Sequence, residues 1–296
     1  MRILCLLAIG LVTSVRSATA QDRLIPGGKI ARLIAASGGT IAVVARDLGS
    51  GDTVMISPDL RFHAASTMKV PVLIELARRI DAGELRWDDS LPVKNQFASI
   101  VDGSPFTLDP VDDSDSTVYR LVGSWAAVRY LAERMIERSS NLATNILIER
   151  LDPARVNRTA HALGADSIEV RRGVEDQKAF DLGLNNTTTA RDLARLLEAI
   201  VRGRAASPAG SEEMLRILSA QEFNDGIPAG LPPGTRVAHK TGEITLIAHD
   251  VGVVFPPRGA PVIVVVLTRG FEKREAAMQQ VSGISRLVYE GIMKGR

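Results

Sequence analysis

The residues that favour β-strands lie at the two ends of the chain, and helical patterns fill its middle. Residues 24 to 37 read as an amphipathic helix, residues 40 to 45 as an alternating strand, and "TVMI" as the return arm of a hairpin. Near the other end, "RVAHKTG", "HDVGVVF" and "PVIVVVLT" predict further strands before a long helix over about residues 273 to 293. We therefore predict an α+β fold in which both chain ends build one antiparallel sheet, flanked by the terminal helices.

Helical periodicity dominates the part between these strands. It is clearest over residues 72 to 82, 126 to 137, 142 to 151 and 190 to 201, the last opened by a capping box at Thr189. We expect a single domain over residues 21–296. Its α/β part would be formed by about residues 21–62 and 218–296, and its inserted helical part by about residues 63–217.

The first twenty residues predict a secretory signal peptide, with a basic start, an apolar run and a small-residue cleavage signal ending at Ala20. Arg16 leaves an uncleaved anchor as the alternative. Cys5, the only cysteine in the sequence, lies in this segment, so the mature protein would form no disulfide and use no cysteine nucleophile. We expect a periplasmic or secreted protein.

Composition excludes several classes of function. The formal net charge is only +2 and the basic residues are scattered, which argues against a nucleic-acid partner. The four histidines show no zinc-ligand spacing, and we expect no metal or cofactor. Four aspartates, at positions 109, 112, 113 and 115, fit no calcium-loop pattern, and we interpret them as a solvated acidic turn.

The segment "FHAASTMKVPV" places a serine and a lysine at the start of an apolar helix. Pro71 is tolerated only in the first turn, so the helix begins no earlier than about Thr67. Ser66 would then lie at the positive end of the helix, which favours an oxyanion. Lys69 lies on the same face and, if desolvated, can take the proton of the Ser66 hydroxyl. The simpler alternative is a cap and a surface lysine.

Two further segments favour the catalytic interpretation. In "MIERSSNLATNILIERL", Ser139 and Asn141 offer a hydroxyl and an amide between two helical runs. In "VAHKTGEI", Lys240 and Thr241 can grip a carboxylate, and Gly242 lets a substrate lie close to the strand edge.

In this order the segments resemble the S-x-x-K, S-D-N and K-T-G motifs of class A β-lactamases, within the superfamily of penicillin-recognising β-lactamases and DD-peptidases. The resemblance implies the β-lactamase/DD-peptidase-like fold. It also implies a set of roles: Ser66 as the acylated nucleophile, Lys69 as its activator, Ser139 as proton donor to the leaving nitrogen, Asn141 as a substrate amide contact, Lys240 and Thr241 as the carboxylate clamp, and the N–H groups of Ser66 and Glu243 as the oxyanion hole.

The loop that carries the deacylating glutamate in this family departs from the usual pattern. It reads "VRRGVEDQKAFDLGLNN" and lacks the arginine-tryptophan pair. Glu175 is our candidate for the base, with Asn185 or Asn186 as a second ligand of the water. The alternative is that Glu175 is a solvated loop acid.

Two departures concern the motifs themselves. Ser140 stands where the family has aspartate, which removes a charge that braces the loop. Glu243 stands where a small residue is usual, and we expect its carboxylate to lie near Lys240 and weaken attraction for anionic substrates.

The sequence therefore predicts a monomeric serine β-lactamase of class A type that acts on a small β-lactam. The first alternative is a periplasmic DD-peptidase acting on D-Ala-D-Ala cell-wall peptides with the same Ser66 and Lys69. The second is a noncatalytic penicillin-binding sensor.

Overall fold

The structure is a computed structural model that describes residues 24–295, and the predicted signal peptide lies outside them. The strands are β1 (Thr40–Asp47), β2 (Thr53–Ile56), β3 (Phe62–His63), β4 (Ser90–Pro92), β5 (Phe97–Ala98), β6 (Pro105–Phe106), β7 (Trp125–Ala127), β8 (Thr187–Thr188), β9 (Arg236–Ile244), β10 (Ile247–Phe255) and β11 (Val262–Arg269). The helices are α1 (Gly27–Ala35), α2 (Lys69–Asp81), α3 (Val128–Glu137), α4 (Asn141–Leu151), α5 (Pro153–Ala162), α6 (Gln177–Asp181), α7 (Ala190–Val201), α8 (Pro208–Ser219) and α9 (Arg274–Lys294).

The main sheet joins the two ends of the chain. Its strand order is β2-β1-β11-β10-β9, and every neighbouring pair is antiparallel. The first two strands come from the start of the chain and the other three from the end, so the predicted α+β fold is confirmed. The alternation of side chains gives the sheet two buried faces, which is why β11 reads as a nearly continuous apolar run.

A separate core covers each face of this sheet. Along β1, Ala42 and Val44 point into the core of the helical part, while Ile41, Val43 and Ala45 point into the core under α1 and α9. Helix α2 packs in the larger core and most of its residues are buried, including the charged Lys69, Glu75 and Arg79, while Arg78 and Asp81 near its C-terminal end are exposed. The N-terminus of α2, which begins at Lys69, is therefore buried as well.

Short pairs and caps connect the helical part. The strand pairs β3-β8, β4-β7 and β5-β6 tie loops together outside the main sheet. The predicted cap of α7 is present, since the Thr189 hydroxyl accepts a hydrogen bond from Asp192 N–H at 3.1 Å.

Within residues 24–295 no helix is both long enough and apolar enough to cross a membrane.

Gly230 marks the tightest approach of a loop to α9. A Cβ there would lie 2.1 Å from the Ser282 carbonyl oxygen, which is backbone and cannot turn away. We expect Gly230→Ala to lower the free energy of unfolding by about 2 kcal/mol or more. Gly28 in α1 has open space around its Cβ position, so Gly28→Ala is the control and should be neutral or stabilising by up to about 1 kcal/mol. Urea unfolding of both variants tests this, and equal stabilities would contradict it.

Candidate active site

Ser66 lies in a 3-10 turn, Ala65–Met68, that leads directly into α2. Ala65 before it has a φ of 45°, a left-handed conformation unusual for a residue with a Cβ, and its N–H donates to His63 Nδ1 at 3.0 Å. Pro71 falls in the first turn of α2, as predicted. Ser66 lines both a cleft of about 1110 Å³ and an adjoining pocket of about 200 Å³.

Lys69 is completely buried at the start of α2. Its Nζ donates to the Ser139 carbonyl oxygen at 2.7 Å, to Ser139 Oγ at 3.1 Å and to Asn141 Oδ1 at 3.0 Å. Burial lowers the pKa of Lys69 to about 7, although the charges of Asp113 and Glu175 act in the opposite direction. The amine is therefore poised to gain or lose a proton near neutral pH.

Asn141 connects the lysine to Glu175. Its Oδ1 accepts from Lys69, while its Nδ2 donates to Glu175 Oε1 at 2.7 Å. Ser139, two residues earlier, has a φ of 59°, which turns both its hydroxyl and its carbonyl oxygen toward Lys69. One turn between α3 and α4 thus supplies all three acceptors of the buried amine.

Glu175 faces the site rather than bulk solvent. It lines the smaller pocket together with Ser66 and Asn141, and its φ is 64°. Burial raises the pKa of the Glu175 carboxyl, the hydrogen bond from Asn141 lowers it, and the charge of Asp113 raises it further. The carboxyl therefore keeps a proton to higher pH than an exposed glutamate.

Asn145 in α4 holds the loop that carries Glu175. Its Oδ1 accepts from Val174 N–H at 2.7 Å and its Nδ2 donates to the Val174 carbonyl oxygen at 3.0 Å, which copies the pairing of a β-ladder. Gly173 fits there because a Cβ would lie 2.4 Å from Asn145 Oδ1. We did not single out Asn145 in the sequence, although an amide inside the apolar run "NLATNILIE" was a usable signal.

The two asparagines at the end of this loop serve its backbone. Asn186 Oδ1 accepts from the N–H groups of Arg171 and Arg172, and its Nδ2 donates to the Arg172 carbonyl oxygen. Asn185 Oδ1 accepts from the Arg172 guanidinium at 2.9 Å. Asn186 also lines the smaller pocket with Ser66 and Glu175, and its Nδ2 keeps a second N–H, so its role as a second ligand of the water stays a prediction.

Strand β9 runs alongside the nucleophile turn. A Cβ on Gly242 would lie 3.1 Å from Ser66 N and 3.0 Å from Thr67 Cγ2, so the glycine permits strand and turn to touch. The close contact with the turn is one reason for a glycine here, and its expected role in letting a substrate lie close to the strand edge stays a prediction. Thr241 and Glu243 line the large cleft with Ser66.

Lys240 on β9 is buried, whereas Glu243 on the same strand is exposed and pairs with an arginine. Lys240 is fully buried, donates to the Thr241 carbonyl oxygen at 2.9 Å, and has a pKa well below that of a free lysine because of burial and the charge of Lys69. Glu243 instead forms an ion pair with Arg274 in the first turn of α9, and Arg274 also binds Asp225. Arg274, which sequence reasoning missed, offsets the charge of Glu243 only in part because it is shared with Asp225, and the expected weakening of attraction for anionic substrates stays a prediction.

The interpretation of the acidic segment as a solvated turn is also wrong for two of its members. Asp113 and Asp115 are 8% and 1% exposed, because their carboxylates bind backbone N–H groups. Asp109 and Asp112 remain exposed. Across residues 24–295 we find no group of three or more histidine, cysteine, aspartate or glutamate side chains arranged to hold a metal ion.

The fold and site define a serine hydrolase built around a buried lysine, and comparisons with known proteins agree. The model of the beta-lactamase enzyme family matches residues 27–292. A beta-lactamase from Streptomyces albus G is 29% identical over 253 residues, 84% of this chain and 78% of that protein. The structure of PBP-A superposes with a TM-score of 0.79 at 27% identity, covering 90% of this chain and 96% of that one. A beta-lactamase from Sphaerobacter thermophilus gives 0.77 at 27% identity, covering 90% and 98%. The chain belongs to the beta-lactamase enzyme family.

The contact at Gly242 gives a test of this geometry. Gly242→Ala should push β9 and the nucleophile turn apart by a few tenths of an ångström and slow the reaction of Ser66 with penicillin by about tenfold or more. The reaction rate is followed by the loss of the lactam absorbance band. Gly28→Ala, far from the cleft, should react at the rate of the wild type. An unchanged rate for Gly242→Ala would show that the close contact is not needed.

Proposed function

We propose that the protein is a serine β-lactamase of class A type that hydrolyses β-lactams through an acyl-enzyme on Ser66. The observation that carries this proposal is the pocket of about 200 Å³ shared by Ser66, Asn141 and Glu175. A water molecule occupies about 30 Å³, so the pocket has room for one between an ester on Ser66 and the Glu175 carboxylate. An enzyme that must release its acyl group needs this arrangement.

Acylation uses the lysine and both serines. Ser66 Oγ attacks the lactam carbonyl carbon while its proton passes to the neutral amine of Lys69. The carbonyl oxygen becomes an oxyanion between the N–H groups of Ser66 and Glu243. When the C–N bond breaks, the ring nitrogen takes a proton from the Ser139 hydroxyl, which recovers one from Lys69 across the 3.1 Å contact. The result is an ester on Ser66 with every proton accounted for.

In the second half-reaction, deacylation, Glu175 acts as the base. Its carboxylate removes a proton from water and the water oxygen attacks the ester carbonyl carbon. The proton then passes from Glu175 to Ser66 Oγ as the ester C–O bond breaks, which restores the free serine and the carboxylate. Asn141 holds the carboxylate at 2.7 Å and can release its amide to a substrate side chain. The half-buried position of this carboxyl and its contact with Asn141 favour this role over that of a solvated loop acid.

Substrate binding involves Lys240 and Thr241. Burial disfavours the charged form of Lys240, and an arriving carboxylate would restore that charge and raise the pKa of the lysine. This coupling favours anionic ligands without leaving a permanent unpaired charge in the interior. We further propose a secreted or periplasmic monomer that needs no cofactor.

Replacing Glu175 tests whether this residue is needed for deacylation but not for acylation. Glu175→Gln should still be acylated by penicillin but should keep the adduct for hours, with turnover reduced at least about a hundredfold. Intact mass against time, with absorbance of the lactam band, measures both steps. Glu212→Gln makes the same chemical change on the exposed side of α8 and should behave as wild type.

Three outcomes separate the alternatives. Unchanged turnover by Glu175→Gln would remove Glu175 as the base. A persistent adduct in the wild type itself, together with release of D-alanine from a D-Ala-D-Ala peptide, would favour the DD-peptidase. Absence of an adduct in Glu175→Gln together with no loss of lactam in the wild type, or an adduct that survives Ser66→Ala, would exclude catalysis through Ser66.

The acylation rate should depend on pH through Lys69. The neutral amine accepts the Ser66 proton, and its fraction grows as pH rises through about 7, so the rate of adduct formation should rise over the same range. Single-turnover measurements with Glu175→Gln isolate this step. Lys69→Arg stays charged at every accessible pH and should not be acylated. A rate that is flat between pH 6 and 8 would show that Lys69 is not the base.

A further inference from the structure

The N-terminus of α4 carries the turn that serves Lys69, and it lacks the carboxylate normally found within the motif. Ser140 stands at the cap position and is fully buried. Its Oγ accepts from Ala143 N–H at 3.3 Å, and its carbonyl oxygen accepts from Thr144 N–H at 3.2 Å. These bonds leave the first two N–H groups of the helix, those of Asn141 and Leu142, without a partner on the turn.

Asp113 supplies those partners from a loop 28 residues earlier in the chain. Asn141 N–H lies 3.0 Å from Asp113 Oδ1 and 2.9 Å from Oδ2, and Leu142 N–H lies 2.9 Å from Oδ2. The Tyr119 hydroxyl donates to Oδ2 at 3.0 Å and Asp115 N–H to Oδ1 at 3.0 Å. The carboxylate is therefore fixed from both sides, and it fixes the residue whose amide touches Lys69 and Glu175.

We propose that Asp113 is the positioning residue of the Ser139-Ser140-Asn141 turn, and that it replaces from outside the motif the carboxylate absent at position 140. This inference rests on the proposed function for its effect on turnover, but its structural part does not. A carboxylate at a helix N-terminus also complements the helix dipole. Its charge favours the protonated forms of both Lys69 and Glu175.

The first test is a double-mutant cycle between Asp113 and Ser140. Asp113→Ala should lower the Tm by several degrees, on the order of 4 °C, and cut penicillin turnover at least about tenfold. Ser140→Asp in the wild type should also be harmful, because it adds a second carboxylate against the first. In the Asp113→Ala background the same change should be beneficial, raising Tm and recovering much of the lost turnover.

The proposal requires that Ser140→Asp be harmful in the wild type and beneficial in the Asp113→Ala background. If Ser140→Asp harms both backgrounds equally, Asp113 does not substitute for the motif carboxylate. If Asp113→Ala alone fails to fold, a folded double variant supports the proposal and an unfolded one opposes it. If the wild type never reacts with penicillin, the proposed function fails, while the unfolding cycle still decides whether Asp113 holds the turn.

The second test measures the pH dependence of turnover. A purely structural role of Asp113 would leave this dependence unchanged. Asp113→Asn keeps the shape of the side chain but removes its charge, so the pKa values of Lys69 and Glu175 should fall. The acid limb of turnover should then shift to lower pH by about half a unit. Asp109→Asn, an equal loss of charge on an exposed residue of the same segment, should shift it by less than about 0.2 units. Equal profiles for wild type and Asp113→Asn would overturn the electrostatic part of the proposal.

Discussion

A buried ammonium group determines how the active site is assembled. Lys69 has no exposed surface, and a charge taken out of water must be paired or hydrogen-bonded to be tolerated. Its acceptors come from Ser139 and Asn141, which means that the turn between α3 and α4 must lie against the start of α2. Asn141 then fixes Glu175 from the other side. The site is thus a chain of contacts that begins with one amine.

Much of the fold followed from pattern alone. The strands at both ends are short, β-branched and bounded by turn residues, and the helices of the middle show a clear 3.6-residue period. Ser66 and Lys69 drew attention because residues three apart lie on one side of a helical turn, although this pair is a weak signal without the other two segments. Ser139, Asn141, Lys240 and Thr241 came from resemblance rather than from spacing, since each of their motifs is weak alone. The roles of these residues remain proposals.

Long-range polar contacts were beyond sequence reasoning. Asp113 binds the N-terminus of α4, and Glu243 pairs with Arg274, although neither partner is near in sequence. A cluster of aspartates looks solvated because acidic residues usually are, and periodicity says nothing about which backbone N–H groups lack partners elsewhere. The residues that sequence reasoning misjudged were therefore charged side chains whose partners lie on a distant element.

Three residues of the site adopt backbone conformations that glycine would hold more easily. Ala65, Ser139 and Glu175 all have positive φ, and each such residue costs on the order of 1 kcal/mol. At Ser139 and Glu175 a glycine would relieve this strain but would remove a side chain of the active site. The cost in stability is therefore consistent with a functional need for these two side chains. Attempts to evolve or engineer a more heat-resistant variant would find relief at these positions and lose activity with it. Gains in stability that spare the activity are to be sought away from these turns, at positions such as Gly28, where a Cβ would meet open space.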